Sequence, residues 1–457
     1  MRKTIAFVLA LVLLMCTFAV AESPGGYPEV KEGIDLGGKT IYILDYWSPS
    51  KVQPRSTEPT DEEQLTYDWQ DWIMENYNVT VKQKSGGSYS ELHKAMMEYV
   101  ACPDLEYYKI YLIHSKYVMS VLNNGYCMGF DTTQVDWDNP VFNKAADEFM
   151  TIGDTHYTIM QSSSPRQVLF FNKRLLEEAG IDWETIYDMQ AEGTWTWAAF
   201  EEMLAKLTQD TDGDGIIDVY GLGGDFRGAC RLAPYLNGGK YFDFDENGLM
   251  QCYGGSDEVL ESLNWMAKLR DNYFFRIPSG AGEATYDQVP FFMAGKYAFF
   301  MGESYQGFND DADLLEMEDE WGCVAWPLNH GGTDFKTMYQ DNFAVLANCY
   351  SEEEASMVSY VYSLWLTPAP GIDAETAWIG TKYNNTDERA VDETYAMLRD
   401  SEHGVFEKAL YMNGQEEMID DFVGWKLYNN VMTPAQCIEA ALPRWQSAVD
   451  AYNANRK

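Results

Sequence analysis

Between residues 39 and 114 three runs, KTIYILDYW (39–47), NVTVKQK (78–84) and YKIYLIH (108–114), are separated by two longer stretches over 61–76 and 89–100. The runs alternate side chains at a period of two, with β-branched and aromatic residues prominent, which is the pattern of strands. The stretches between them read as helices. Strands that alternate with helices form a mixed α/β domain whose sheet is largely parallel, with the helices covering its faces. In such sheets ligands gather at the carboxyl ends of the strands. Asp45, Tyr46 and Trp47 end the first run, and His114 and Ser115 end the third. They are the first candidates for a site.

The alternation resumes further on. QVLFFNKRLLEEAGID (167–182) is a strand running into a helix, and 193–209 is a helix with Thr196 as N-cap and Phe200, Met203, Leu204 and Leu207 as its apolar face. Strands follow at 218–224, 296–302 and 342–348, and helices at 256–270, 352–366 and 434–453. No repeat or low-complexity tract interrupts them. Such a length exceeds one ordinary core and predicts two domains.

The N-terminus reads as a secretory signal over 1–21. Arg2 and Lys3 precede an apolar run, and Ala19-Val20-Ala21 supplies a small-x-small cleavage site. The run falls short of the ~18 apolar residues of a membrane span, and Met15 before Cys16 departs from a lipid-attachment motif. The expectation is an exported protein, periplasmic or cell-surface associated, with 22–37 (ESPGGYPEVKEGIDLG) as a Gly/Pro-rich tether. Net charge is −40 for the whole chain, and −42 once the signal and its two cations are removed. That field excludes nucleic acid and anionic membranes as partners and favours a neutral ligand. Seven cysteines remain, an odd number at wide spacings without CxxC, so single thiols are expected rather than a disulfide framework.

QDTDGDGIIDVYG (209–221) has the form of a calcium loop. Asp210, Asp212 and Asp214 occupy its first, third and fifth positions, Gly215 makes the bend, and the Ile216 carbonyl and Asp218 follow. The twelfth position is Gly221, where a calcium-binding helix–loop–helix has a bidentate Glu. The alternatives are a structural Ca2+ clamp between a helix end and a strand, or a solvated turn without metal.

Four fragments in order, FFNKRLLEEAGID, GTWTWAAFEEMLAKLTQDTDGDGIIDVYGL, YLNGGKYFDFDENG and FMAGKYAFFMG, make the chain resemble the extracellular solute-binding proteins of sugar ABC transporters, the maltose/multiple-sugar type. The resemblance spans nearly all of the mature chain. It implies two α/β lobes joined by chain crossings near 167–171, 342–346 and 385–392, closing on ligand like a clam shell. Lobe one would be 38–167 with 347–388, and lobe two 168–342 with 389–457. It further implies a monomer that captures a neutral carbohydrate and delivers it to ABC permease subunits, with the acidic loop structural.

A sugar ring offers an apolar face for aromatic stacking and a fringe of hydroxyls for amides, carboxylates and guanidinium groups. Position within the resemblance selects the candidates. Trp47 should face the cleft, and Tyr305 stands where relatives carry a stacking aromatic, often Trp. Glu303 accepts hydroxyl hydrogen bonds, Asn237 of the NGG motif approaches from lobe two, and Arg166 precedes the first crossing. Trp326, Trp378 and Trp425 are looser candidates. The rival readings are a secreted glycoside hydrolase, a binder of another small solute such as a peptide, and a cell-surface adhesin. A hydrolase needs a carboxylate pair, and 72 acidic residues always supply one by chance. HExxH and GxSxG are absent, and the five histidines lack metal-ligand spacing. Peptide binders need a charged clamp, for which only Arg166 offers itself, and an adhesin would show repeats and a wall anchor.

Overall fold

The computed structural model describes residues 26–161, 165–277, 285–309, 312–339, 342–373, 376, 378–379, 387–412 and 416–455. The expected signal peptide and Cys16 lie outside them. Two sheets organise the chain. The first contains Thr40–Asp45 (β1), Thr80–Ser85 (β2), Tyr107–His114 (β3) and the short Cys127–Met128 (β4). The second contains Gln167–Asn172 (β5), Tyr220–Gly224 (β6), Tyr297–Glu303 (β7) and Trp321–Val324 (β8). The chain then returns to the first sheet as Asn342–Ala347 (β9). The orders are β2-β1-β3-β9-β4 and β8-β5-β7-β6.

Strands β1, β2 and β3 are parallel, joined through Asp61–Asn76 (α1) and Leu92–Ala101 (α2). Thr60 caps α1 in a capping box with Glu63, which is why the helix starts there. The sheets are less parallel than the alternation alone implies. β9 runs antiparallel to β3, and β5 antiparallel to β7 and β8. Both reversed strands are those the chain enters on crossing from the other sheet. They start at the crossing and run away from it, against neighbours that end there.

All six residues of β5 and all seven of β7 are buried, as expected for strands covered on both faces. Helix Trp197–Leu207 (α3) covers this sheet with Phe200, Met203, Leu204 and Leu207 inward, capped by Thr196, whose hydroxyl accepts from the Ala199 amide at 3.3 Å. Trp197 stacks flat on Trp265 of Asp257–Asn272 (α4) at 4.1 Å. Helices Glu352–Leu366 (α5) and Pro434–Asn455 (α6) follow the return crossing. The segment read as a tether is held down over its described part. Tyr27 packs on Trp69 and Trp72 of α1 at 5.6 and 5.5 Å, and Leu36 is fully buried with its amide bonded to the Tyr77 carbonyl. Its apolar residues are too isolated among Gly, Pro and charge to show a period. The seven cysteines among the described residues are free.

Candidate functional site

The crossings bring functional ends of both sheets together. Asn342, first residue of β9, pairs with His114, last of β3, and Gln167, first of β5, pairs with Glu303, last of β7. Thr337 ties the passages side by side: its hydroxyl donates to the Gln167 carbonyl at 2.9 Å and accepts from the Gln167 amide at 3.1 Å. Beside this junction lies a cavity of about 410 Å³, within the usual size of small-ligand sites. The first sheet and its helices contribute Trp47, Leu112, Asn342, Ala344, Tyr362 and Leu366. Ile159, Met160 and Gln161 come from the loop before β5, and Arg166, Ser304, Tyr305 and Asn309 from the opposite side.

The wall is aromatic and aliphatic with interspersed amides. Its charge is concentrated in one place: Arg166 Nε lies 3.3 Å from Glu303 Oε2, and the guanidinium sits 4.7 Å from the Tyr305 ring centroid. Such a pair presents donors, an acceptor and an aromatic face within one patch. Asn342 Oδ1 and Gln167 Oε1 are buried without a hydrogen-bond partner among the described residues. A desolvated carbonyl of this kind costs free energy until a donor reaches it. His114 adds no charge. Burial, reinforced by Arg166, Arg231 and Lys116, lowers its pKa to about 3, and its Nδ1 accepts from the Lys116 amide at 3.1 Å.

Trp47, Arg166 and Tyr305 therefore line the cavity, and Glu303 reaches its edge through Arg166. Trp326 lies deeper and is fully buried, beside Gln167, Asp225 and Glu303. Asn237 lies elsewhere: it is buried, its amide donates to the Glu258 carbonyl and to Glu261, and its oxygen accepts from Asn329. Gly238 beside it has φ +72°, and a Cβ there would come within 2.4 Å of the Gly331 carbonyl. The NGG motif is thus a packing motif in this chain. Trp378 stacks on Tyr395 at 5.6 Å under Arg399, and Trp425 stacks on Tyr428 at 6.0 Å near Arg227. Neither lines the cavity. Gln161, Asn309, Asn342 and Tyr362 line it without having been singled out. Tyr362 lies on the apolar face of a helix, where a core role is the natural reading. The three amides carry no local pattern.

In the acidic loop Asp210, Asp212 and Asp218 bring carboxylate oxygens within 4.8 Å of one another. Asp210 already accepts from the Gly213 and Gly215 amides, and Asp218 from the Thr211 amide and hydroxyl. Asp218 is held below the usual carboxylate range, by the Thr211 hydroxyl first and its amide second. Asp214 turns its carboxylate to the Ile216 amide at 2.7 Å and stands outside the group, while the Ile216 side chain is exposed. Three hard, acceptor-only oxygen donors on one turn fit the chemistry of calcium better than that of a transition metal.

Two mixed sheets joined by repeated crossings, with a cavity at the junction, define a two-lobed binding protein of the periplasmic type. Residues 58–363 match the family described as bacterial extracellular solute-binding protein, and the chain belongs to that family, whose members bind a solute for transport rather than transform it. Sequence comparison with curated proteins gives no match. Among solved structures, the fold is similar to an ABC substrate-binding protein from Listeria monocytogenes in complex with cycloalternan (TM-score 0.59, 16% identity, 92% of this chain and 99% of that one). It is similar to a cyclic α-maltosyl-1,6-maltose binding protein from Arthrobacter globiformis (0.62, 15%, 91% and 99%). It is also similar to UgpB from Mycobacterium tuberculosis in complex with glycerophosphocholine (0.61, 15%, 90% and 99%).

Proposed function

We propose that this protein captures a neutral carbohydrate, most simply an oligosaccharide, between its two lobes and delivers it to the permease of an ABC importer. The carrying observation is the cavity wall: Trp47, Tyr305 and Tyr362 with the amides Gln161, Asn309 and Asn342. Aromatic faces match the C–H face of a pyranose, and each amide supplies both a donor and an acceptor for its hydroxyls. The Arg166–Glu303 pair adds a donor and an acceptor at little net charge. The cycloalternan bound to the Listeria neighbour and the sugar for which the Arthrobacter binding protein is named agree with the reading, whereas glycerophosphocholine in UgpB shows what else this fold takes. Against a hydrolase, Glu303 is the carboxylate that reaches the cavity edge among the described residues, paired with Arg166, whereas glycoside hydrolysis needs two flanking the scissile bond.

Lobe one takes 38–167 and 347–388 and lobe two 168–342 and 389–457 in this reading, with the strands at 167 and 342 as hinges. The N-terminal 21 residues act as an export signal, and the mature protein works as a monomer outside the cytoplasm, free or at the cell surface. Asp210, Asp212 and Asp218 would hold a structural Ca2+, with Asp214 and the Ile216 carbonyl reaching it only after the loop rearranges. A thermal-shift screen over neutral glycans, peptides and polyamines tests the ligand class. A glycan that raises the melting temperature and is recovered intact is the expected result; a shift with peptide or polyamine alone overturns it.

A further inference from the structure

Four aromatic side chains are exposed among the described residues, and two of them, Trp47 at 53% and Tyr89 at 39%, belong to one patch beside the cavity. Tyr46 joins them, meeting Trp47 edge-on at 5.1 Å and Tyr89 edge-on at 5.3 Å. Trp47 also lines the cavity, so the patch continues the site outward over the rim of the first sheet. The two loops that carry it are fastened to each other. The Gly86 amide donates to the Asp45 carbonyl at 2.7 Å, and the Ser85 amide to the Pro49 carbonyl at 3.0 Å. The buried Asp45 carboxylate accepts from the Ser48 amide and hydroxyl and from Gln83, fixing the turn that projects Trp47. Tyr89 is braced from behind by the rings of His114 and Tyr117 at 4.9 and 5.4 Å. Exposed aromatics held this firmly lose little further entropy when a ligand covers them.

We infer that Tyr46, Trp47 and Tyr89 form an outer subsite that stacks on sugar rings beyond those enclosed in the cavity, so that the ligand is an oligosaccharide longer than the cavity holds. The inference rests on the carbohydrate reading and deepens it. The test is calorimetric titration of malto-, cello-, manno- and xylo-oligosaccharides, from disaccharide to hexasaccharide, into the full mature chain and into Tyr89→Ala and Tyr89→Phe. In the series that binds, wild-type affinity should rise with length. Tyr89→Ala should lose about five- to tenfold for the longer members, the scale of one aromatic contact, and nothing for the shortest binder. Tyr89→Phe should behave as wild type, which separates stacking from loss of the Tyr89 hydroxyl contact to His114 Nδ1 at 3.4 Å. Affinity independent of length, or an equal loss at every length in Tyr89→Ala, overturns the outer subsite while the carbohydrate reading stands. Binding to none of the four series overturns both.

Discussion

Glu407 offers a test of the junction that needs no ligand. It is 1% exposed; its carboxylate accepts from the Tyr235 hydroxyl at 2.9 Å and from the Ala409 amide at 3.3 Å. The segment around it touches elements from widely separated parts of the chain. Gly404–Val405 pairs with Thr337–Met338 beside the crossing, the Tyr411 hydroxyl donates to the Phe149 carbonyl, and the Tyr411 ring meets Phe244 at 5.2 Å. Burial pushes the Glu407 pKa up to about 7, against the opposing pull of the Ala409 amide, the Tyr235 hydroxyl and Arg231. A carboxyl whose pKa is higher folded than unfolded contributes stability that is fully present below its unfolded value of 4.5. That contribution is lost as pH rises through about 7. At about 1.4 kcal/mol per pH unit, the span between 4.5 and about 7 is worth roughly 3 kcal/mol. Glu407→Gln keeps an acceptor for Tyr235 and does not titrate. Melting temperatures of wild type and variant, followed from pH 5 to 8.5, should therefore diverge in the variant's favour at the alkaline end by several degrees. Buried Asp420, also raised chiefly by burial, and His114, lowered to about 3, titrate in both proteins and cancel in the difference. Parallel curves would refute the argument that a buried carboxylate is strained at this junction.

Trp47→Ala and Tyr305→Ala should each weaken glycan binding by about 1–3 kcal/mol in calorimetry, with the fold intact by circular dichroism. Asn237→Ala should instead lower the melting temperature, by the cost of unpaired groups at Glu258 and Asn329, and leave affinity unchanged. Asp210→Asn with Asp218→Asn should abolish any calcium-dependent rise in melting temperature; a wild type that melts equally with calcium and with chelator removes the metal from the account. Small-angle scattering should show a smaller radius of gyration with saturating glycan, and an unchanged value counts against hinge closure at 167 and 342.

What could be read in the sequence followed from period and punctuation. α1 and α3 have the limits their caps dictate, and β1, β3, β7 and β9 fall where alternating or continuous apolar runs lie, because those patterns are local. Strand direction in the second sheet is not local. It depends on which end of β5 meets the crossing, and nothing within QVLFFN records that. The packing of residues 26–37 escapes a local pattern for a related reason. Leu36 and Tyr27 are single apolar residues in a polar stretch, and their partners, Tyr77 and the α1 tryptophans, lie about 40 residues away.

The site divides along the same line. Trp47, Arg166 and Tyr305 are legible because each stands at the end of a strand or beside a crossing, and in an α/β fold those ends are where a cavity forms. Gln161, Asn309 and Asn342 become a set only when β9 is laid against β3 and the end of β7 against the start of β5, so no spacing in the chain connects them. Asn237 shows the converse. Its motif is conspicuous in sequence, yet the demand that Gly238 satisfies is the close passage of Gly331, a packing requirement rather than a binding one. The formal net charge of −40 points to a neutral ligand, but by an incomplete route. A protein-wide field repels anions at a distance, but the cavity wall carries one guanidinium and no carboxylate among the described residues, so locally it is not hostile to an anion. What holds that guanidinium in check is Glu303, 3.3 Å away. A neutral ligand is favoured because the pair leaves donors and an acceptor in place and almost no charge to be matched.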